Sequence, residues 1–498
     1  MDTNFDIVKA DGFYEITSGQ VAVECVMSAS DAIADVLGVS SYCTSLTGEA
    51  MNGEIDFSGS VNFKVVCTAN DGKLFSPDYA CEYKTELKGQ DIRPDTVFYA
   101  CKRILESNVQ KIDETSVKAS ALIEITVFGV CKKEIKTEIG SDLITSKKLI
   151  TSSEFVTEFD STFDTSEEIE TKAEVINVLI AKAEITLKDV RCQNDIVTAI
   201  GEIDASVVYT TDASVVTKNI VIPFSQENVA LNTTVNSFAS VCASVKSARI
   251  VIEGVEGNNV IRLEVIGKVE GMVFNTVERE VLADAYSLTQ NVSFKKDCFE
   301  FPVFKNAYYN EEHISNSLRI GEDAEPISRI LTAFANGNNV SAVTPFDDKL
   351  VLSGAVNTTV VYTQDDNSIK SAKIEIPYSM RIKAEGLSEI DEVAVSVSVA
   401  EVTAVSKRAR EIEVMSLLKV RVMSFGKEKE CLITDISLTG EKTVKDACIS
   451  VYVTDTDDTV FNIAKALNTT PESVIETNRS LTEPIEKGRK VAVFRPLT

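Results

Sequence analysis

The chain has 498 residues, 44% of them apolar, and 76 acidic against 50 basic side chains give a formal charge of −26. That length exceeds a single hydrophobic core and implies several domains; an acidic surplus without a basic stripe argues against nucleic acid, because phosphate binding needs clustered Lys and Arg. No apolar stretch reaches the roughly 18 residues needed to span a bilayer, and MDTNFDIVKADGFYEITSG lacks the basic-then-apolar pattern of a secretory signal, so the chain is expected to stay in the compartment where it is made.

From the N-terminus the chain alternates apolar and polar residues at the strand period. Three ungapped ten-residue segments repeat one pattern: Gly59 opens GSVNFKVVCT, Gly201 opens GEIDASVVYT and Gly354 opens GAVNTTVVYT. One strand face would carry Val61, Phe63, Val65 and Cys67 in the first copy. Ile203, Ala205, Val207 and Tyr209 are their equivalents in the second, and Val356, Thr358, Val360 and Tyr362 in the third. A second landmark follows each copy: SALIEITVFG ends at Gly129, RLEVIGKVEG at Gly271 and LLKVRVMSFG at Gly426, so the paired glycines lie 70, 70 and 72 positions apart. Near-constant spacing between two signatures identifies a threefold internal repeat with units of about 140 residues. Copies two and three also share IPFSQ around Pro223 and IPYSM around Pro377; the first copy has YACEYKTEL around Cys81 instead.

Turn residues such as Asn70-Asp71-Gly72, Asn258-Asn259 and Asp365-Asp366-Asn367 punctuate the strands. The expected fold class is mainly β: three repeated antiparallel sandwich-like or barrel-like modules plus a small C-terminal βααβ domain. The expected boundaries are 1–159, 160–305, 306–445 (with an N-terminal connector) and 446–498. Two acidic stretches, Asp160 to Lys172 and Asn306 to Glu325, read as linkers or short helices.

The eleven cysteines contain no CxxC and read as reduced thiols packed in cores. The only histidine, His313, sits in a polar segment and reads as a surface side chain. Neither GxxxxGK[ST] nor GxGxxG occurs, and one histidine leaves no His-based triad. Asp455, Asp457 and Asp458 fail as an EF-hand loop, since Val460 and Ala466 stand where Gly and Glu are needed. The chain is expected to be non-enzymatic, with no metal and no cofactor.

The last fifty residues have a different texture. SVYVT (450–454) reads as a strand, and Val460, Ile463, Ala464 and Leu467 form the apolar stripe of a short helix, with Thr456 or Asp458 as cap. Thr470 at an N-cap, Pro471 and Glu472 open a second helix buried through Val474 and Ile475, and KVAVF closes the domain after Gly488. This order resembles the LysM domain at Tyr452-Val453, Asp458-Thr459, Ile463-Ala464, Asn478, Gly488, Val491, Val493 and Pro496. It departs at Asp457, where that family usually has glycine. The resemblance implies a binding groove between two loops, formed by Thr456, Asp457, Asp458 and Thr459 on one side and Ile485 and Glu486 on the other.

The repeated modules and the LysM-like end together resemble the SipL-like spore-coat assembly proteins, which carry repeated SPOCS domains. That resemblance implies an anchoring adaptor in the mother-cell cytoplasm at the forespore surface and in the spore coat. It further implies that the adaptor binds the coat morphogenetic ATPase SpoIVA largely through its LysM domain. The alternative is a wall-associated protein whose LysM binds peptidoglycan or N-acetylglucosamine polymers.

Overall fold

The computed structural model describes residues 5–138, 143–171, 173–255, 258–442 and 449–494. The alternating runs become strands. In the first unit these are β1 (Phe5–Lys9), β2 (Gly12–Ser28), β3 (Ile33–Ala50), β4 (Glu54–Ala69), β5 (Leu74–Phe75), β6 (Asp78–Lys88), β7 (Phe98–Lys111), β8 (Ser116–Cys131) and β9 (Glu134–Glu138). The second contains β10 (Ile144–Glu170), β11 (Asn177–Gln193), β12 (Ile196–Thr210), β13 (Val215–Val229), β14 (Ser237–Val255) and β15 (Asn258–Tyr286). The third contains β16 (Gln290–Arg319), β17 (Ile327–Phe346), β18 (Lys349–Gln364), β19 (Ile369–Lys383), β20 (Glu392–Arg408) and β21 (Glu411–Glu441).

One topology recurs three times. Setting aside β1 and β9, which pair with each other, and the two-residue β5, each unit has six strands: the second to fourth form a meander (β3-β4-β6, β11-β12-β13, β17-β18-β19), and the first pairs with the last, which pairs with the fifth (β2-β8-β7, β10-β15-β14, β16-β21-β20). The two antiparallel sheets of each unit pack face to face as an open sandwich. The barrel-like form entertained from sequence is not adopted, because among the described residues no ladder joins the two sheets of a unit. The faces assigned from alternation are the buried ones: Val61, Phe63, Val65, Cys67 and their counterparts are all buried.

The glycines of the first landmark have a mechanical role. Gly59, Gly201 and Gly354 lie directly across the ladder from Tyr83, Phe224 and Tyr378, and each aromatic ring covers the place a Cβ would occupy. A ring laid over a strand glycine restores the contact surface that glycine lacks. Copy one therefore keeps the aromatic of the Pro-aromatic-Ser step at Tyr83 and differs in having Glu82 before it.

The Val-Val doublet breaks the period-two alternation, and the fold explains why. Val65, Val207 and Val360 face their own sandwich cores, while Val66, Val208 and Val361 point the other way into one cluster shared by all three units. A second shared cluster joins Phe13, Tyr99 and Val130 with Phe238, Met272, Phe274, Met423 and Phe425. Contacts between units follow a cycle: β7 lies beside β17, β14 beside β3, and β20 beside β11. In each case the fifth strand of one unit meets the second strand of another. A head-to-tail contact used three times closes into a pseudo-threefold ring. The units are thus parts of one body rather than beads on linkers.

This corrects the connectors expected from sequence. Residues 160–170 are the end of β10 and 306–319 the end of β16, strands with one solvated polar face. Boundaries at 159/160 and 305/306 would cut both strands; the breaks before β10 and between Tyr286 and Gln290 are where one six-stranded unit gives way to the next. Cys298 and Cys431, directly opposed on β16 and β21, form a disulfide, correcting the expectation that every thiol is reduced. His313 is exposed, as its polar segment implied, and lies on β16. The expected turn at Asn258-Asn259 is already strand, pairing with Val255 and Gly254, whereas Gly72 and Asn367 occupy turns with positive φ. Cys448 and Pro496 lie outside the described residues.

Candidate functional site

The C-terminal segment folds as β22 (Ile449–Val453), α1 (Val460–Leu467), α2 (Pro471–Thr477) and β23 (Lys490–Phe494), with β22 and β23 antiparallel. Thr459, not Thr456 or Asp458, caps α1: its hydroxyl accepts from the Asn462 amide at 3.2 Å. Thr470 caps α2 and Pro471 follows it. Ile463, Ala464, Leu467 and Val474 are buried as expected, but Ile475 is exposed.

This unit is docked on the ring through α1. The Tyr286 ring meets Phe461 edge to face at 5.2 Å, and its hydroxyl donates to the Thr469 carbonyl at 2.6 Å. Burial pushes the Tyr286 phenol up to about 12. Lys465 donates to Asp284 at 2.6 Å, and Lys442 reaches the Ser287 carbonyl and the Asn468 side chain. The docking partners come from the end of β15 and the turn after it, and from Lys442 just past β21 and Phe294 on β16, so the second and third units together hold the tip.

The structure brings the two predicted loops together. Buried Thr454 donates its hydroxyl to the Glu486 carbonyl at 2.6 Å and accepts from the Arg489 amide at 2.9 Å, stitching one loop to the other. Thr456, Asp457, Thr459 and Glu486 are exposed along this seam. Asp457 has φ of 68°, a left-handed conformation that glycine adopts freely and aspartate tolerates, which gives a physical reason for glycine at that place in LysM domains. Asp458 serves the turn itself, accepting from the Asp455 amide at 2.7 Å and from the Tyr452 hydroxyl at 3.3 Å. Ile485 is a correction: it is buried in the small core with Ile463 and Val491, so it supports the loop from beneath.

The seam is acidic and partly self-satisfied. Glu483 accepts from the Val460 amide at 2.7 Å, occupying a donor at the start of α1. Lys487 pairs with Asp455 at 2.7 Å and holds that carboxyl below its ordinary value. On the outer face of the two-stranded sheet, Ile449, Val451, Val453 and Phe494 are exposed, with Val451 at 56% and Phe494 at 61%. Lys490, directly opposite Val453, shares this face, so the four apolar side chains form a small exposed patch with a cation at one end.

A second concave feature was invisible in the sequence. A cavity of about 440 Å³ sits where the three units meet, lined by residues of all three, including Tyr42, Lys102, Arg103, Glu184, Val397 and Arg421. Arg421 is buried there and donates to the Val241 carbonyl at 3.2 Å, while its Nε has no partner. Burial lowers the pKa of both Arg421 and Lys102. On the ring surface, Glu54, Asp56 and Glu86 bring three carboxylates close together on β4 and β6, the first half-buried and the other two exposed. Among the described residues, no helix is long and apolar enough to cross a membrane.

No curated protein and no solved structure matches the chain. Residues 326–406, which span β17 to β20 of the third unit, match the family model described as SipL, SPOCS domain. That stretch of the third unit is therefore similar to the SPOCS domain of SipL, a sporulation-related family.

Proposed function

We propose that the protein is a non-enzymatic adaptor of spore-coat assembly. It binds a SpoIVA-like coat morphogenetic ATPase through its C-terminal unit, which we read as a LysM domain. The observation that carries this reading is the SPOCS match over 326–406. Support for a protein partner comes from the exposed apolar face of β22 and β23. In this reading the first two units are also SPOCS domains, since they share the third unit's strand order and Gly–aromatic pairs. The ring acts as a rigid base, and the tip acts as its docking module in the mother-cell cytoplasm at the forespore surface.

The exposed seam of Thr456, Asp457, Thr459 and Glu486 keeps a second reading in play, in which the tip holds peptidoglycan or N-acetylglucosamine polymers. Placement in the cell separates the two. A fluorescent fusion of the full chain in sporulating cells is expected to ring the forespore while the mother cell is intact, and to disperse when the ATPase is deleted. A fusion that stays at the forespore without the ATPase contradicts the adaptor reading.

A further inference from the structure

Cys101 on β7 of the first unit and Cys242 on β14 of the second face each other with sulfurs 2.7 Å apart. That is about 0.7 Å longer than a formed disulfide of roughly 2.04 Å. A second cross-unit contact sets the geometry. Two residues earlier on each strand, the Tyr99 hydroxyl meets the Ser240 hydroxyl at 2.7 Å, with the same offset of 141 positions. Equal offsets at two sites two residues apart mean that β7 and β14 run side by side here, with these side chains on one shared face. Tyr99 and Ser240 are buried among the phenylalanines of the shared aromatic cluster, which holds both strands in place. The two thiols are therefore apposed by the closure of the ring and by no local loop.

We propose that Cys101 and Cys242 are a covalent modification site: an inter-unit disulfide that locks the first unit to the second when the chain meets a small disulfide oxidant. One cysteine sulfur, giving up its proton, attacks a sulfur of the oxidant and expels one small thiol. The other cysteine then attacks the mixed disulfide on the protein sulfur and expels the second. The protein loses two protons and two electrons and gains one S–S bond; the oxidant's S–S bond is broken and reduced to two thiols. Cys101 lines the central cavity, which gives a small oxidant its approach. The hydrogen bond to Cys242, with burial, raises the Cys101 thiol well above its ordinary value, so closure is slow at neutral pH and faster as pH rises.

The site is separate from Cys298 and Cys431, which are joined within the third unit, and from Cys25 and Cys81, which lie against each other within the first. Of these three pairs, only Cys101–Cys242 joins two units. Its bond would prevent β7 from parting from β14 without altering either sandwich.

The test is peptide mapping of the full chain. Reduced protein is transferred into oxidised glutathione, quenched with an alkylating reagent at low pH and digested with trypsin without reductant. Residues 89–102 and 219–246 are tryptic peptides that each carry one cysteine. The expected result is a linked 89–102/219–246 species in the oxidised sample, absent after reduction and absent from Cys101→Ser. That variant is expected to keep the circular dichroism spectrum of the parent. Oxidation should also raise the melting temperature of the parent chain more than that of Cys101→Ser, in which only the Cys298–Cys431 bond contributes. Alkylation of both cysteines in the oxidised folded chain, glutathione left on either, or linkage of either to another cysteine overturns the proposal.

Discussion

Lys419 on β21 offers a quantitative test of how the units are joined. It is almost completely buried where the third unit meets the second, and it donates to Glu202 at 2.8 Å and to Asp204 at 2.6 Å, both on β12. Burial alone would lower the Lys419 pKa, but hydrogen bonds to the two carboxylates raise it above 10.5, so the ammonium is charged at neutral pH. Burial also raises Asp204 above its ordinary value despite the pull of Lys419. Lys419→Met keeps the apolar stem and leaves Asp204 buried without its cation. Glu202 is less exposed to this loss because it keeps Lys188 at 2.6 Å. Breaking a buried pair by removing one partner costs about 3–5 kcal/mol.

Proton uptake by Asp204 sets a ceiling on that cost. Protonating a carboxyl of ordinary pKa ~3.9 costs about 1.4 kcal/mol per pH unit, hence about 4 kcal/mol at pH 7 and about 1.5 kcal/mol at pH 5. In the variant, the folded pKa of Asp204 rises further above its unfolded value. Its deficit is therefore absent below the unfolded pKa and grows as pH rises toward the folded one. Urea unfolding followed by circular dichroism and tyrosine fluorescence, the chain having no tryptophan, should show Lys419→Met destabilised by about 3–4 kcal/mol at pH 7. At pH 5 the loss should fall to about 1.5 kcal/mol. A penalty below about 1 kcal/mol at pH 7, or one equal at both pH values, refutes the assignment of Lys419 and Asp204 as a buried inter-unit pair.

Two further perturbations probe the ring. Phe274, fully buried in the shared aromatic cluster, stacks on Phe238 at 5.3 Å; Phe274→Ala should cost about 3–5 kcal/mol. Hydrogen exchange should show amide protection falling together in all three units, and loss confined to the second unit would contradict a common core. Gly337 brings β17 against β7 so closely that a Cβ would run into the Leu105 carbonyl. Gly337→Val should therefore part the third unit from the first and expose β7 to protease, whereas unchanged limited proteolysis would deny that contact.

Much of the architecture was legible. The paired glycines, the alternating faces and the cap-and-proline opening of α2 all lie where short-range chemistry puts them. The doublets at Val65-Val66, Val207-Val208 and Val360-Val361 also carried the ring in plain view, as breaks in alternation. Their second members have a meaning only when three distant segments meet, which no local pattern shows. The end of β10 was misread because Asp160, Asp164 and Glu168 present a solvated face, while Ser161, Phe163 and Thr165 opposite them form too weak an apolar signal. Tyr83 was passed over because Glu82 replaces the proline that marks the step in the other copies. Ile485 was placed in the groove by likeness to a motif, whereas a loop between two short strands must also bury something to stay in place. The pairs Cys298–Cys431 and Cys101–Cys242 depend on strand register and ring closure, and both are fixed by tertiary packing.

The central functional claim is that the C-terminal unit docks a protein through its apolar face. The most direct measurement is retention of purified SpoIVA and of purified peptidoglycan by the immobilised full chain, with a Val451→Glu/Phe494→Glu variant alongside. Both side chains are exposed, so the variant is expected to keep its fold by circular dichroism. The account predicts that the parent retains SpoIVA, that the variant loses at least about tenfold in affinity, equivalent to about 1.4 kcal/mol, and that neither retains peptidoglycan. Retention of peptidoglycan without SpoIVA, or undiminished SpoIVA binding by the variant, would contradict it.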